Sequence, residues 1–232
     1  MKRNSRKAEL PLVCRVRTNK YEKFRARMVE EQLLPRGIED PAVLHAMEVV
    51  PRHLFVSAAL HAQAYGDFPL PIGHGQTISQ PCIVALMTQL LQLTGKEKVL
   101  EIGTGCGYQS AILATLCEKV YTIERIKPLL ARARRTFDQL QIYNIMSKVA
   151  DGTEGWPEHA PFDAIIVTAA GPQIPQPLMT QLADPGIMVL PVGDLESQTL
   201  MVVKKEGGLV TTTAVENVRF VKLVGAHGWQ TT

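Results

Sequence analysis

The apolar positions change rhythm along the chain, and each change marks a different kind of structure. Over residues 21–34, Phe24, Met28, Leu33 and Leu34 recur at helical spacing until Pro35-Arg36-Gly37 breaks the run. Asp40 followed by Pro41 reads as the cap and first position of a second helix, which reaches about Val50 and is ended by Pro51. Residues 64–81 keep no period and carry Gly66, Pro69, Pro71, Gly73, Gly75 and Pro81. Irregular stretches of that length inside a compact domain are uncommon and often functional. A helix is predicted from Pro81 to about Leu93.

From Lys98 the rhythm alternates. Short apolar runs at 99–102, 120–123, 145–149, 163–168 and 187–191 read as strands, and the segments 107–116, 128–141 and 177–182 as helices. Strands alternating with helices predict a mostly parallel sheet covered on both faces. Near the end, 199–204 and 210–215 flank Gly207-Gly208, an antiparallel hairpin, and 218–224 reads as a last strand.

Composition adds little to this picture except at the N-terminus. The 232 residues, 46% apolar and 20% charged, suit one folded core and not a disordered chain. Net charge is only +3, so nucleic acid is not expected as a partner. The balance is uneven, with ten Lys or Arg against Glu9 and Glu22 in residues 1–27. A basic arm can bind acidic surfaces, but a solvated tail is the preferred reading. No stretch resembles a membrane span or a secretion signal. Cys14, Cys82, Cys106 and Cys117 lack the spacing of a metal knuckle or redox pair, so reduced thiols in a cytoplasm are expected. The six histidines show no spacing of a helical metal site.

The chemistry begins at Glu101-Ile102-Gly103-Thr104-Gly105-Cys106-Gly107, between a predicted strand and a predicted helix. Glycines there let the backbone turn sharply and approach a ligand. Glu124 ends the next strand, about 20 residues on, where a carboxylate can accept both ribose hydroxyls of an adenosine. Tyr108 occupies the place where a dinucleotide site wants its last glycine, so a dehydrogenase fits poorly. S-adenosylmethionine carries no phosphate and does not need that glycine. Asp151-Gly152, after the third strand, offers a carboxylate for an adenine amine. The turn after the fourth strand reads Thr168-Ala169-Ala170-Gly171-Pro172 and lacks the Asn-Pro-Pro-Tyr pattern of enzymes that methylate planar nitrogens. A carboxylate acceptor, ionised above a pKa of about 4, needs donors to orient it and no strong base. The Gly75–Pro81 loop supplies hydroxyls, and the helix start after Pro81 supplies N–H groups. Pro81-Cys82 precedes the glycine loop and is read as a helix start, not as a nucleophile.

Several runs together carry a resemblance. They are Pro69-Leu70-Pro71-Ile72-Gly73, Gly75-Gln76-Thr77-Ile78-Ser79-Gln80-Pro81, residues 99–109, Ile123-Glu124-Arg125-Ile126, Asp151-Gly152, Gly155-Trp156-Pro157-Glu158, residues 160–165, Val167-Thr168-Ala169-Ala170 and Leu190-Pro191-Val192-Gly193. Over residues 21–224 the chain resembles the protein-L-isoaspartate O-methyltransferases. The resemblance implies an α/β, Rossmann-like class I S-adenosylmethionine-dependent methyltransferase fold, with an N-terminal helical addition and C-terminal antiparallel strands. It implies a single domain over 20–232, made of helices and active-site loop (20–97), cofactor core (98–193) and C-terminal strands (194–232), behind a basic tail at 1–19.

It also implies repair chemistry. A methyl group passes from S-adenosyl-L-methionine, leaving S-adenosyl-L-homocysteine, to the α-carboxylate of L-isoaspartyl residues in damaged proteins and peptides; the ester cyclises to a succinimide, and water reopens part of it as aspartate. By the same resemblance Ser79 is the catalytic residue. Gln76, Thr77, Ile78, Glu101, Gly103, Thr104, Gly105, Glu124, Asp151 and Gly152 contact cofactor, while Thr77, Ser79 and Val221 contact substrate. A monomer without membrane partners is expected. Cys106, Cys82, Ala150 and Lys222 depart from the residues usual in the family. The alternatives are a methyltransferase for a small carboxylate or hydroxyl, and a non-catalytic isoaspartyl-binding adaptor.

Overall fold

A computed structural model describes residues 19–230. The expected basic tail therefore lies outside the described residues but for Asn19. The first helix, α1 (Asn19–Met28), continues through a wide π-helical turn (Val29–Leu33) and a tight 3₁₀ turn (Leu34–Arg36), and ends at Gly37 in a left-handed conformation. Helix α2 (Pro41–Val49) starts as the sequence predicts: Asp40 Oδ1 accepts from the N–H groups of Ala42 and Val43. Two short 3₁₀ turns follow (Arg52–Phe55 and Ala58–Gln63).

The irregular segment is not structureless. It holds a two-stranded antiparallel hairpin, β1 (Leu70–Gly73) and β2 (Gln76–Ile78), which the expectation of an aperiodic loop did not include. Helix α3 (Pro81–Leu90) follows directly.

The main sheet is built from β3 (Lys98–Ile102), β4 (Lys119–Glu124), β5 (Ile145–Val149), β6 (Phe162–Val167), β7 (Leu182–Gly193), β8 (Gln198–Glu206) and β9 (Leu209–Val218). Between the strands run α4 (Tyr108–Ala114), α5 (Lys127–Gln139) and α6 (Gln176–Gln181). Strand order is β5-β4-β3-β6-β7-β8-β9, parallel as far as β7 and antiparallel beyond it. The order reverses direction at β3, whose neighbours are β4 and β6. In such sheets the crevice beyond the carboxyl ends of the strands, at that switch point, is where ligands bind.

Burial explains the apolar runs. Val99, Leu100, Val120, Ile165, Ile166 and Val189 are fully buried, as strands covered on both faces require. The N-terminal helices join α4 and α5 through one cluster that includes Met28, Leu33, Met47, Ile72, Ala111 and Phe137.

One predicted strand is corrected. Strand β9 ends at Val218, and residues 219–224 leave the sheet. They run beside the turn after β6, where Ala170 N–H donates to Val221 O and Leu223 N–H to Ala170 O, both at 2.8 Å. Phe220, Val221 and Val224 are apolar because they line a cavity there.

Candidate active site

A cavity of about 500 Å³ opens at the carboxyl ends of β3, β4 and β6. Its floor is the glycine loop. Gly103, Gly105 and Gly107 have φ of 98°, 55° and 92°, in the left-handed region that favours glycine. A Cβ on Gly103 would sit 2.4 Å from the Thr168 hydroxyl. Thr168 itself donates to Gly103 O at 2.7 Å, so the turn after β6 holds the floor in place.

Glu124 comes off the end of β4 and is almost fully buried in the cavity wall. Each of its oxygens is oriented by backbone: Oε2 accepts from Gly105 N–H and Oε1 from Ile126 N–H, both at 2.8 Å. A carboxylate oxygen has about two acceptor sites. Both oxygens therefore keep one for a ligand, which is what a vicinal diol needs.

Of the twelve residues singled out by sequence, ten line this cavity: Gln76, Thr77, Ile78 and Ser79 from the hairpin and its exit, Gly103, Thr104 and Gly105 from the floor, and Glu124, Gly152 and Val221 from the walls. Glu101 and Asp151 do not. Glu101 is wholly buried behind the floor. Its Oε2 accepts from the hydroxyls of Ser110 and Thr122, and Thr122 in turn is bonded to Thr104 at 2.6 Å. Burial pushes its carboxyl up to about 8, so it is mostly neutral at pH 7. Asp151 is the N-cap of a short turn, with Oδ1 accepting from Thr153 N–H and hydroxyl and Oδ2 from Ala226 N–H. Partial burial acts to raise its carboxyl, but the bonds from Ala226 and Thr153 outweigh it and hold the group below its ordinary value.

Ser79 lies where the cavity meets a second groove, which shares with it Thr77, Ser79, Thr168, Arg219, Phe220 and Val221. The Ser79 hydroxyl has no hydrogen-bond partner among the described residues, so its proton is free for a ligand. The helix start behind it is less open than expected, because Cys82 N–H already donates to Asp67 Oδ1 at 3.1 Å. Cys82 is buried, with its thiol pushed upward by burial, as a helix-start residue and not as a nucleophile. Sequence reasoning did not mark Thr168, Phe220 or Trp229 as lining residues. Only Thr168 had a signal, its place after the fourth parallel strand.

Residues 24–228 match the family model described as protein-L-isoaspartate(D-aspartate) O-methyltransferase. This chain belongs to that family. It is 57% identical over 208 residues to a protein-L-isoaspartate O-methyltransferase of Geobacter metallireducens, covering 89% of this chain and 96% of the relative. It is 58% identical over 210 residues to the Syntrophobacter fumaroxidans protein-L-isoaspartate O-methyltransferase 1, covering 90% and 98%. A solved Plasmodium falciparum protein, described as a putative protein-L-isoaspartate O-methyltransferase and in complex with S-adenosyl-L-homocysteine, superposes with a TM-score of 0.75 at 25% identity, covering 89% of this chain and 99% of that one. The expected class I methyltransferase fold, with its antiparallel C-terminal strands, is the fold observed.

Proposed function

We propose that the chain is a repair methyltransferase that transfers a methyl group from S-adenosyl-L-methionine to the α-carboxylate of L-isoaspartyl residues in proteins and peptides. The observation that carries the reading is one continuous space with two chemically different ends. At one end the Glu124 carboxylate, with both oxygens pre-aimed, faces a floor of left-handed glycines. At the other the Ser79 hydroxyl stands where a second groove, lined by Arg36, Pro69, Ile83 and Asn217 among others, opens from the cavity.

The residues fit the cofactor. Glu124 would take the ribose hydroxyls; Gly103, Thr104 and Gly105 the floor contacts; Gly152 the adenine edge, with Asp151 beside it; and Gln76, Thr77 and Ile78 the cover. When bound, S-adenosylmethionine supplies a methyl group on an electrophilic sulfonium. No strong base is needed, since an isoaspartyl carboxylate is already ionised at neutral pH. The chain's own task is alignment, which the Ser79 hydroxyl performs by donating to one carboxylate oxygen while Thr77 and Val221 fix the peptide on either side. Glu101 acts behind the floor through Thr122 and Thr104, and touches neither ligand.

The proposed site is complete without a second copy, and a monomer of a single domain from residue 20 onward is the working form we propose. No helix among the described residues is long and apolar enough to cross a membrane. The three described cysteines are unpaired and buried, in keeping with a cytoplasmic site of action. The deciding experiment supplies tritiated methyl donor with an isoaspartyl peptide and its normal aspartyl twin. Labelling of the isoaspartyl peptide alone is expected. Equal labelling of both would favour the small-carboxylate alternative, and binding without labelling the adaptor.

A further inference from the structure

Arg52, in the 3₁₀ turn after α2, has no solvent exposure. A buried cation is expensive unless paired, and replacing such groups by apolar ones is often neutral or stabilising. Yet no carboxylate pairs with Arg52 among the described residues. Its Nε donates to Ala64 O and its Nη2 to Ser79 O, at 2.8 and 2.7 Å, and its Nη1 has no partner. The guanidinium lies 4.9 Å from the centre of the Tyr108 ring, which opens α4 directly after the glycine loop. One planar group thus touches the N-terminal part, the acceptor loop and the first helix of the cofactor core.

We infer that Arg52 is a positioning residue for methyl transfer, which locks the Ser79 backbone through its carbonyl and so aims the Ser79 hydroxyl. The residue's chemistry suits the task. A rigid, planar fork of donors suits gripping two carbonyls at fixed angles beside a ring, whereas an ammonium is a compact point charge without that geometry. A second tether of the same kind grips the hairpin beside its turn, where Arg132 Nη2 donates to Ile72 O at 2.8 Å. The carbonyls of Ile72 and Ser79 are thus each held by an arginine from outside the segment between them.

The inference rests on the assignment of Ser79 as the acceptor-orienting group, and the test separates the two. Single-turnover methyl transfer to an isoaspartyl peptide is measured for the parent, Arg52→Lys, Ser79→Ala and the double variant, with S-adenosylhomocysteine affinity and melting temperature for each. Ser79→Ala is expected to slow transfer about a hundredfold, the loss of an oriented donor in a pre-organised site. Arg52→Lys is expected to slow it tenfold or more, with cofactor-product affinity within threefold of the parent. In the Ser79→Ala background the same substitution should cost less than twofold, because residues acting through one group are not additive.

Near-normal transfer by Ser79→Ala overturns the Ser79 assignment. A slow Ser79→Ala with an unimpaired Arg52→Lys, or with effects that multiply, overturns the role of Arg52. Val43→Ala, a core change away from the cavity, controls for lost stability: if it slows transfer as much as Arg52→Lys at equal loss of melting temperature, Arg52 is merely structural. Arg52→Gln, which keeps one donor in a plane, serves if the lysine variant does not fold; failure of both to fold also makes Arg52 structural and overturns the inference.

Discussion

Glu101 and Glu124 come from the ends of adjacent strands, and their surroundings give them opposite duties. Glu124 receives two backbone N–H bonds and faces the cavity. Hydrogen bonds to a charged group contribute about 1.5–3 kcal/mol each. Glu124→Ala should therefore weaken S-adenosylmethionine binding at least tenfold, as read by calorimetry; unchanged affinity would remove it from the site. Glu101 is raised from its ordinary 4.5 to about 8 by burial, with Ser110 and Thr122 opposing the rise and the charge of Glu124 adding to it. Because the folded value lies above the unfolded one, its contribution is full below about 4.5 and is lost as pH rises through about 8. The parent should lose stability with a slope of up to about 1.4 kcal/mol per pH unit from this group across that window. Glu101→Gln, which cannot titrate, should lack that slope; parallel curves of unfolding free energy from pH 5.5 to 7.5 for the two proteins would contradict the buried neutral acid.

Elements were legible where their rhythm served the sheet, and were misread where it served the cavity. The parallel strands announced themselves because both faces are covered, and α2 because Asp40 and Pro41 mark its start in the chain itself. The β1–β2 hairpin was hidden by its glycines and prolines and by strands of only four and three residues. Residues 219–224 carried the apolar pattern of a strand for a different reason, the lining of the cavity. Arg52 gave no signal at all, since Pro-Arg-His after a helix reads as a polar break, and only the fold shows what its guanidinium holds.

The junction between floor and helix makes a sharp test of the packing argument. A Cβ on Gly107 would come 2.5 Å from the Phe137 ring of α5 and 3.1 Å from Ala133. Gly107→Ala would meet that clash and the left-handed φ together, at a cost of at least about 2 kcal/mol. Urea unfolding should show it; a loss below about 0.5 kcal/mol would mean α5 yields easily.

At the scale of the molecule, the described cavity draws on residues from Gly75 to Trp229 and on nothing earlier. The family match also begins only at residue 24. Because the family match begins after them, deleting residues 1–18 is expected to leave the rate on short isoaspartyl peptides within about twofold, inside the spread of sites that act independently. A tenfold loss, with circular dichroism unchanged, would show that the basic segment reaches the active site.

The last described residues are tied to the turns that border the cavity. Trp229 donates from its indole to Ala170 O at 3.0 Å, Ala226 N–H to Asp151, and His227 N–H to the Thr153 hydroxyl. These bonds draw the closing residues over the cavity after the sheet is already complete at Val218. A preparation nibbled by a carboxypeptidase would keep its sheet, its helices and its elution volume while its pocket lay open. Purity on a gel is then a poor guide to competence, and intact mass is a good one.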